Sequence, residues 1–284
     1  MKNLLEQSLK LRLNPINYNI TKEWLIGFIE AEGHFSGKVG EQAAFHLSQH
    51  AADWNLIEAI AKIIGHGKIN LQTRKDGRSQ AVLSIYHKDV LRNVIIPICY
   101  DNFQSNKKIL QLQEWIKMNF SDLTSAEEKN NKLINSEWLV GFVDGDGSFY
   151  PIIHKTKDYK CGYQVQAVFD IAQLDSEQKL LDEIGKQYFN GIHKWAKSGS
   201  TQHLRILKLS DHLKYVEPFF ITNSIKSRKQ LDFIIWQEII RIIENKKHLT
   251  TEGINEIKEL QNIQNEYRSK LLVEIQEKVN NKLL

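Results

Sequence analysis

The stretch LVGFVDGDGSF, which runs from Leu139 to Phe149, decides the fold that this chain is expected to adopt. Its apolar run ends in two carboxylates, Asp144 and Asp146, that stand among three glycines. Residues 25–35 read LIGFIEAEGHF and carry acids at the same sixth and eighth positions. The chain therefore contains one unusual pattern twice, which makes an internal duplication the first hypothesis.

Three further markers recur downstream of both stretches in the same order. Each copy has a short segment that ends in glutamine, an apolar-periodic helix that opens with an aspartate suited to N-capping, and a later segment with basic residues near its start. The copies are FHLSQ (45–49) and FDIAQ (169–173), the helices that begin at Asp53 and Asp175, and the segments SNKKILQLQEW (105–115) and SRKQLDFIIWQEI (227–239). Four markers in one order indicate two repeats of a common fold.

Between the markers the sequence is typical of β-hairpins. Polar and apolar residues alternate on both sides of turn signals at Asp76 and Gly77 and at Ser198 and Gly199. Each repeat is therefore predicted to run helix, hairpin, helix, hairpin, helix. The expected fold class is α+β, built from two pseudo-symmetric αββαββα repeats.

The two repeats are expected to differ in their first hairpin. Gly147 and Gln173 are 26 positions apart, whereas Gly33 and Gln49 are 16 positions apart, so the second repeat should have the longer hairpin. The expected domains are the first repeat with an N-terminal extension (1–118), a polar linker (119–135), the second repeat (136–245) and a C-terminal helical tail (246–284).

Small residues at a spacing of four occur inside both motif stretches, Gly27 and Ala31 in the first and Gly141 and Gly145 in the second. Such residues let two helix backbones approach closely, by a steric rule that is best documented in membranes but does not depend on lipid. We therefore expect the two motif helices to pack on each other around a pseudo-twofold axis.

The eighth-position acids, Glu32 and Asp146, would then emerge together at the C-terminal ends of the two helices. Each precedes a glycine, Gly33 or Gly147, that can end a helix in the left-handed conformation. Like charges at the negative ends of helix dipoles repel, and a divalent cation would relieve that repulsion. One acidic pair beside glycines is more often a surface turn, but its duplication favours a metal site, for which Mg²⁺ is suited. The predicted ligands are the side chains of Glu32 and Asp146 with backbone oxygens of Ala31 and Gly145.

The two stretches resemble the signature motifs of the LAGLIDADG homing endonucleases in their single-chain, two-repeat form, over roughly residues 15–245. The resemblance implies a saddle of two antiparallel sheets with the motif helices packed at the interface. It implies that Glu32 and Asp146 bind metal, although Glu32 departs from the eponymous aspartate, and that the sixth-position acids, Glu30 and Asp144, are structural. It also implies Mg²⁺-dependent cleavage across the minor groove that leaves 3′ overhangs, with Mn²⁺ as a substitute and Ca²⁺ binding without cleavage.

The same resemblance points to a polar residue at a strand end near the metals, here Gln49 and Gln173. These side chains could orient the attacking water, or they could simply end strands. A basic residue before the last helix of each repeat corresponds to Lys107 and Lys229.

The two lysines could stabilise charge that develops in the transition state of phosphodiester hydrolysis. Lys108 and Lys226 are close rivals for this role. The structural alternative is a solvated lysine in the first turn of a helix.

Recognition of DNA would fall to the strands, because Arg, Lys, Asn and Gln read base edges and bind phosphates. The halves have diverged, so the target should not be a palindrome. The candidates are Lys68, Asn70, Gln72, Arg74, Arg78 and Gln80 in the first repeat, and His154, Lys155, Lys157, Gln164, Lys194, Lys197 and Arg205 in the second.

Composition limits the classes of protein that remain. The net charge of +4 and the pI of about 8.8 permit an anionic partner without demanding one. Cys99 and Cys161 are too few for a disulfide scaffold or a cysteine-based zinc site. No uninterrupted membrane span is evident, so no membrane partner is expected. The abundance of Ile, Lys and Asn fits an AT-rich genome and an organellar, mitochondrial setting inside the cell.

Three functions compete. The first is a monomeric, intron-encoded endonuclease that cuts both strands of DNA. The second is a maturase of the same fold that binds its host group I intron RNA, and the third is a DNA-binding protein that has lost cleavage. The presence of both eighth-position acids favours the nuclease, because binding alone needs no metal carboxylates.

Overall fold

The computed structural model describes residues 18–38, 40–75, 77–123, 133–192 and 194–280. The predicted N-terminal extension up to residue 17, the part of the predicted linker from 124 to 132, the turn residue Asp76 and the last four residues lie outside the described residues. So does the side chain of Lys194.

The first repeat forms a four-stranded antiparallel sheet in the order β1-β2-β4-β3, with helices before, between and after its hairpins. Its elements are α1 (Lys22–Glu32), β1 (Gly33–Ser36), β2 (Ala44–His50), α2 (Trp54–Ile64), β3 (Lys68–Thr73), β4 (Ser79–Ile85), the helical segment α3 described below, and α4 (Asn106–Asn119). The helix α1 begins where the Thr21 side chain accepts a hydrogen bond from the Trp24 backbone, 3.1 Å away.

The second repeat has the same strand order, β5-β6-β8-β7. Its elements are α5 (Ser136–Asp146), β5 (Gly147–Lys155), β6 (Tyr163–Leu174), α6 (Gln178–Tyr188), β7 (Lys194–Ser198), β8 (Thr201–Ile206), the segment α7 described below, and α8 (Lys229–Glu244), followed by a 3₁₀ turn (Lys247–Leu249) and α9 (Thr251–Asn280). The strands β5 and β6 have nine and twelve residues, against four and seven in β1 and β2. The predicted α+β class and the longer first hairpin of the second repeat are therefore confirmed.

Each repeat contains one helical segment that the sequence analysis missed, between its second hairpin and its last helix. Both have a π-helical middle part and continue through a proline, Pro97 or Pro218. Proline has no backbone N–H and its ring disturbs the ordinary i→i−4 pattern, which fits a wider turn just before it. The segments are α3 (Lys88–Val90, Leu91–Ile95 and Ile96–Cys99) and α7 (Leu209–Asp211, His212–Val216 and Glu217–Thr222).

Neither predicted aspartate forms a side-chain capping hydrogen bond at the start of its helix. The helix α2 begins at Trp54, after a 3₁₀ turn, and Asp53 makes no side-chain capping hydrogen bond there. The helix α6 begins at Gln178, again after a 3₁₀ turn. Asp175 instead forms a salt bridge with Lys197, at 2.7 Å. Asp53 therefore stands at the N-cap position of α2 without capping it, whereas the tight turn moves Asp175 away from the start of α6.

The described residues fall into two compact units, one of residues 18–145 together with 272–280 and one that runs from Asp146 to Leu271. The motif helix α5 therefore belongs, except for its last residue, to the unit that contains the first repeat. This boundary differs from the predicted one at residues 119–135, because α5 packs on α1. In each unit the core lies between helices and one face of a sheet, with Phe45 and Phe169 fully buried.

The composition bears on membrane-spanning helices and on the two cysteines. None of the described helices combines the length and apolar character that a membrane crossing requires. Cys99 and Cys161 are both free thiols.

Candidate functional site

The two motif helices touch at their glycines. A Cβ atom on Gly27 would lie 2.0 Å from the carbonyl oxygen of Trp138, and one on Gly141 would lie 2.0 Å from the carbonyl oxygen of Trp24. A Cβ on Gly145 would meet the Cβ of Ala31 at 2.3 Å. Because the obstacles are backbone atoms and a short side chain, any larger residue at these glycines would force the helices apart. The predicted close packing of the motif helices is confirmed.

The sixth-position acids bind the tryptophan of the opposite motif helix. The Trp24 Nε1 donates a hydrogen bond to Asp144 Oδ2, and the Trp138 Nε1 donates one to Glu30 Oε2, both at 2.8 Å. All four side chains are at most 2% exposed. A buried carboxylate is costly unless it is hydrogen-bonded, so each pair stabilises the helix packing. These acids are structural, as expected, and the tryptophans are core residues that also act as donors.

Glu30 also determines where the last helix of the first repeat begins. Its Oε1 accepts hydrogen bonds from the backbone N–H groups of Gln104, at 2.6 Å, and Ser105. Ser105 in turn caps α4 by accepting a hydrogen bond from the backbone of Lys108, at 3.2 Å. An anion at a helix N-terminus is favoured by the helix dipole. The buried acid therefore positions the first turn of α4, which carries the candidate lysines.

The eighth-position acids each lie beside the glutamine predicted for their repeat. Glu32 and Asp146 are the last residues of α1 and α5, and both are half-buried. The Gln49 Nε2 donates to Glu32 Oε1 at 3.1 Å, and the Gln173 Nε2 donates to Asp146 Oδ2 at 2.5 Å. The two repeats thus build the same acid–glutamine pair from residues 17 and 27 positions apart.

Both polar atoms of the Gln49 amide, Nε2 and Oε1, are hydrogen-bonded. Its Nε2 also lies 3.4 Å from the carbonyl oxygen of Asp144, and its Oε1 accepts a hydrogen bond from the backbone of His50 at 2.8 Å. The side chain is 7% exposed. A glutamine that simply ended a strand would not need this set of partners, so the structure favours a role in holding Glu32.

The glycines that follow the acids do not have the predicted conformation. Gly33 has φ −74° and ψ 146°, which is extended rather than left-handed, and it is the first residue of β1. Gly147 likewise begins β5 without a positive φ. The prediction is wrong because each chain passes directly from helix into strand. Gly33 is needed for space, since a Cβ there would lie 2.5 Å from the carbonyl oxygen of Ile29.

The candidate lysines of the first repeat have different surroundings. Lys107 is exposed on the first turn of α4. The Nζ of its neighbour Lys108 donates a hydrogen bond to the carbonyl oxygen of Gly33, the residue that follows Glu32. Lys108 therefore reaches the end of the motif helix.

In the second repeat, Lys229 is the first residue of α8 and is 9% exposed. Its rival Lys226 precedes the helix, and the Lys226 Nζ lies 3.5 Å from the carbonyl oxygen of Ser224. Lys229 is thus the more enclosed of the two.

Aromatic pairs show which lysines are equivalent. The rings of Phe35 and Trp115 lie 5.1 Å apart, and those of Phe149 and Trp236 lie 5.4 Å apart. In each pair the phenylalanine is the third residue after a motif acid. Seven positions before the two tryptophans stand Lys108 and Lys229. Aligned on these two tryptophans, the counterpart of Lys229 is Lys108, one residue beyond the Lys107 that the sequence comparison of the repeats selects.

The donor set suits a hard cation that retains water. Within the described ranges, no group of three or more His, Cys, Asp or Glu side chains comes together as a metal site. Mg²⁺ usually keeps several waters and is held by one or two carboxylates with substrate phosphates. The half-buried carboxylates Glu32 and Asp146 meet this description. Ala31 and Gly145 lie in the last helical turns, where carbonyl oxygens lack intrahelical partners.

The first sheet has one apolar face and one polar face. Residues directly opposite in an antiparallel sheet share a face, and the register places Lys68, Asn70, Gln72 and Gln80 together on the polar one. Arg74 and Arg78 lie beyond the strand ends, where the Nε of Arg74 donates to the Gln80 Oε1 at 2.7 Å. Further members of this face were not predicted, although the alternation in β2 would have revealed some of them: His34, His46, Ser48, His50 and Ser84.

Only part of the predicted set lies on the polar face of the second sheet. His154 and Gln164 are opposite each other on its polar face, together with Arg205. Lys194 is aligned with Arg205, but its side chain lies outside the described residues. Lys157 lies in the loop between β5 and β6.

Two of the predicted residues do not share the polar face of the second sheet. Successive side chains of a strand point to opposite faces. Lys155 and Lys197 each stand an odd number of residues from the polar positions of their strands, so they have the register of the buried face. Lys197 also forms the salt bridge with Asp175 described above. Residues that the sequence analysis missed on the polar face are Ser148, Tyr150, Gln166, Asp170 and His203.

Arg205 belongs to a cluster centred on Asp170. The Arg205 Nη2 and the His203 Nδ1 each lie 3.0 Å from Asp170 Oδ2, and the Tyr150 hydroxyl lies 3.3 Å from the same atom. Burial and the hydrogen-bonded carboxylate of Asp170 act in opposite directions on the Arg205 pKa, and the net shift is upward. The guanidinium is therefore held in place and charged on the polar face.

Both repeats match one protein family. The sequence profile of the LAGLIDADG endonucleases fits residues 25–119 and 139–240. A 37.2 kDa protein of cox1 intron 2 in Schizosaccharomyces pombe is 27% identical over 254 residues, covering 87% of this chain and 73% of that protein. Probable intron-encoded endonuclease 3 of Neurospora crassa is 27% identical and covers 87% of this chain. This chain spans 54% of the length of the Neurospora relative.

Solved structures share the fold. I-SmaMI, bound to an uncleaved DNA target in the presence of calcium ions, superimposes with a TM-score of 0.70 at 26% identity, over 86% of this chain and 98% of I-SmaMI. I-CpaMI bound to uncleaved DNA gives a TM-score of 0.69 at 22% identity, over 84% of this chain and 97% of I-CpaMI. With two matched repeats, packed motif helices and an acid–glutamine pair in each repeat, this chain belongs to the LAGLIDADG endonuclease family.

Proposed function

We propose that this protein is a monomeric, site-specific endonuclease that hydrolyses both strands of a long, non-palindromic DNA duplex with Mg²⁺ and leaves 3′ overhangs. The observation that carries the proposal is the duplicated pair, Glu32 with Gln49 and Asp146 with Gln173. A maturase or a simple DNA-binding protein would need neither pair. The cox1 introns that encode relatives support a mitochondrial setting.

Each acid would hold one hard cation together with backbone oxygens of Ala31 and Gly145. Mg²⁺, when bound, would offset charge on the phosphorane-like transition state and lower the pKa of a bound water. The chain's own contribution is orientation. The Gln49 and Gln173 amides fix the rotamers of the two carboxylates, so that their oxygens need not reorganise as a ligand binds.

The first-repeat lysine that we propose to act at this site is Lys108. The contact between its Nζ and the carbonyl oxygen of Gly33 keeps a positive charge one residue from Glu32. Such a charge would stabilise an anionic transition state. Lys229 occupies the equivalent place in the second repeat. Lys107, exposed one position earlier, is the matched control.

The partner is double-stranded DNA, bound on the polar faces of the two sheets. These faces combine Lys, Arg, Asn, Gln and His, which are the residue types that bind base edges and phosphates. Equivalent positions in the two faces carry different residues, such as His46 and Asp170. Two different faces would read two different half-sites, so the target would not be a palindrome.

The proposal is tested by incubating the purified chain with a randomised duplex library and sequencing the ends that are cut. We expect one non-palindromic site to be cut with Mg²⁺ or Mn²⁺, and to be bound but uncut with Ca²⁺. Lys108→Ala should slow cutting of that site about a hundredfold, whereas Lys107→Ala should leave the rate within about threefold. Cutting that persists in a chelator, or no selected site at all, would overturn the proposal.

A further inference from the structure

The first hairpin of the second repeat extends beyond its counterpart. The pair Phe149 and Phe169 occupies the place of Phe35 and Phe45, next to the motif helix. Beyond the matched part, β5 and β6 continue for five paired residues each, at 151–155 and 163–167. At about 3.4 Å per residue this hairpin extension adds about 17 Å of sheet, the length of about five stacked base pairs.

The hairpin extension has a buried face and a partly exposed polar face. Ala167 is 3% exposed and Val165 is 7% exposed, and both lie on the buried face with Pro151. The opposite face continues the polar face of the second sheet. It carries Ile152, His154, Gln164 and Gln166, which are half-buried or exposed.

The chain that follows the second repeat supports the hairpin extension. The Nζ of Lys258 lies 4.1 Å from the ring centroid of Tyr163, the first residue of β6, in a cation–π contact. The Sγ of Cys161 lies 3.8 Å from the carbonyl oxygen of His248. The 3₁₀ turn Lys247–Leu249 contacts both β6 and α8.

The same segment is anchored to the second repeat. Ile254, Ile257 and Leu260 are buried at a helical spacing of three residues. The Nε2 of Gln264, also buried, donates a hydrogen bond to Asp232 Oδ1 of α8 at 2.7 Å. Residues 247–264, which we name the brace, thus connect the last helix of the repeat to the end of its longest hairpin.

We propose that the brace holds the hairpin extension in a DNA-binding position, so that the second repeat recognises about five base pairs more than the first. This inference rests on the proposed function. Gln and His side chains read base edges in the major groove, and Lys157 and Lys160 in the adjoining loop are exposed and suited to phosphates. A two-stranded hairpin is marginally stable alone, so a recognition element of this length needs support behind it.

The test begins with the site that the full chain selects from a randomised duplex library in Ca²⁺. The two arms of that site should differ in length by about five base pairs. In Gln164→Ala and Gln166→Ala, discrimination should fall about ten- to a hundredfold at the outer end of the longer arm only. Gln72→Ala, on the first sheet, is the matched control and should relax the shorter arm.

The brace is tested separately with Lys258→Ala and Ile257→Ala. Both should lose discrimination at the same outer base pairs, while the inner base pairs and the rate of cutting a saturated site stay unchanged. Thermal melts identify any variant that fails to fold, and Lys258→Ala leaves the buried Ile254, Ile257 and Leu260 unchanged. Arms of equal length, or outer discrimination that survives both brace variants, would overturn the inference while leaving the nuclease intact. No selected site would overturn both.

Discussion

The two repeats build the same acid–glutamine pair but place different residues at the centre of their polar sheet faces. His46 stands three residues before Gln49, and its ring nitrogens lie 2.9 Å from Ser84 Oγ and 3.2 Å from Ser36 Oγ. Burial, and secondarily the charge of His34, lower the His46 pKa, which favours the neutral ring. The centre of the first face is therefore a neutral hydrogen-bonding group.

Asp170 stands three residues before Gln173 and takes the place of His46. It binds Arg205 and Tyr150, which are the register equivalents of the two serines, and His203 in addition. The centre of the second face is therefore a set of charges. The comparison teaches that a duplicated fold can keep its proposed reaction site while each half acquires its own proposed recognition chemistry. The acids lie at the ends of the motif helices, whereas the varied residues lie on the polar faces of the strands.

The largest expected effect tests whether the two acid–glutamine pairs are equivalent. Glu32→Gln and Asp146→Asn should each reduce double-strand cleavage by at least about a hundredfold, since each removes a charge that we propose to bind metal. DNA affinity should stay within about tenfold, or ~1.4 kcal/mol, because the sheets supply it. Cleavage and binding assays on the selected site decide this, with Glu58→Gln on the surface as control. A wild-type rate in one variant would show that the pairs are not equivalent.

The next effect concerns the packing that both repeats share. Gly27→Leu and Gly141→Leu should each lower the free energy of unfolding by ~3 kcal/mol, the upper end for overpacking, because the obstacle is a backbone carbonyl 2.0 Å away. Denaturant unfolding measures both. Similar losses would support a symmetric crossing of the helices. A stabilised variant, as expected for an exposed helical glycine, would contradict it.

A pH dependence should distinguish the repeats. His212 begins the π segment of α7, where the first repeat has Leu91, and its Nε2 lies 2.9 Å from the carbonyl oxygen of Ala167. Burial lowers the His212 pKa to about 4 from its ordinary value of 6.5. As the pH falls, His212 therefore becomes protonated near pH 6.5 in the unfolded chain but only near pH 4 in the folded chain.

The free energy of unfolding of the wild type should consequently fall by about 3 kcal/mol through His212 as the pH is lowered across this range. His212→Leu, which copies the first repeat, should be less stable at pH 7 because the carbonyl of Ala167 loses its donor, but should lack this part of the pH dependence. Unfolding curves of both proteins across the range give the difference. Parallel pH profiles would refute the assignment.

The smallest effect is at single base pairs. Asp170→Asn should loosen Arg205 and reduce discrimination at one position of the second half-site by ~1–2 kcal/mol. His46→Ala should act at the equivalent position of the first half-site and nowhere else. Site-selection profiles of the two variants locate the changes. Effects of one variant in both half-sites would break the idea that each face reads independently.

Sequence patterns identified the proposed reaction site better than the recognition surface. Glu32, Asp146, Gln49 and Gln173 could be found because they occupy fixed places in a motif that occurs twice. The sequence left Lys107 and Lys108 as rivals, because the start of α4 depends on Glu30 binding the backbone there. The sequence could not show that Lys155 and Lys197 lie off the polar face, because a residue's face depends on strand pairing, and composition alone does not reveal pairing.

The sequence by itself determined the duplication, the α+β repeats and the acids at the motif ends. These follow from local periodicity and from small residues at a spacing that only close helix packing explains. Tertiary structure alone decided that Gly33 continues into a strand, that Arg205 is held by Asp170, and that residues 247–264 support the longest hairpin. Those features arise from contacts between segments far apart in the chain, whose free energy depends on packing and register rather than on any local pattern.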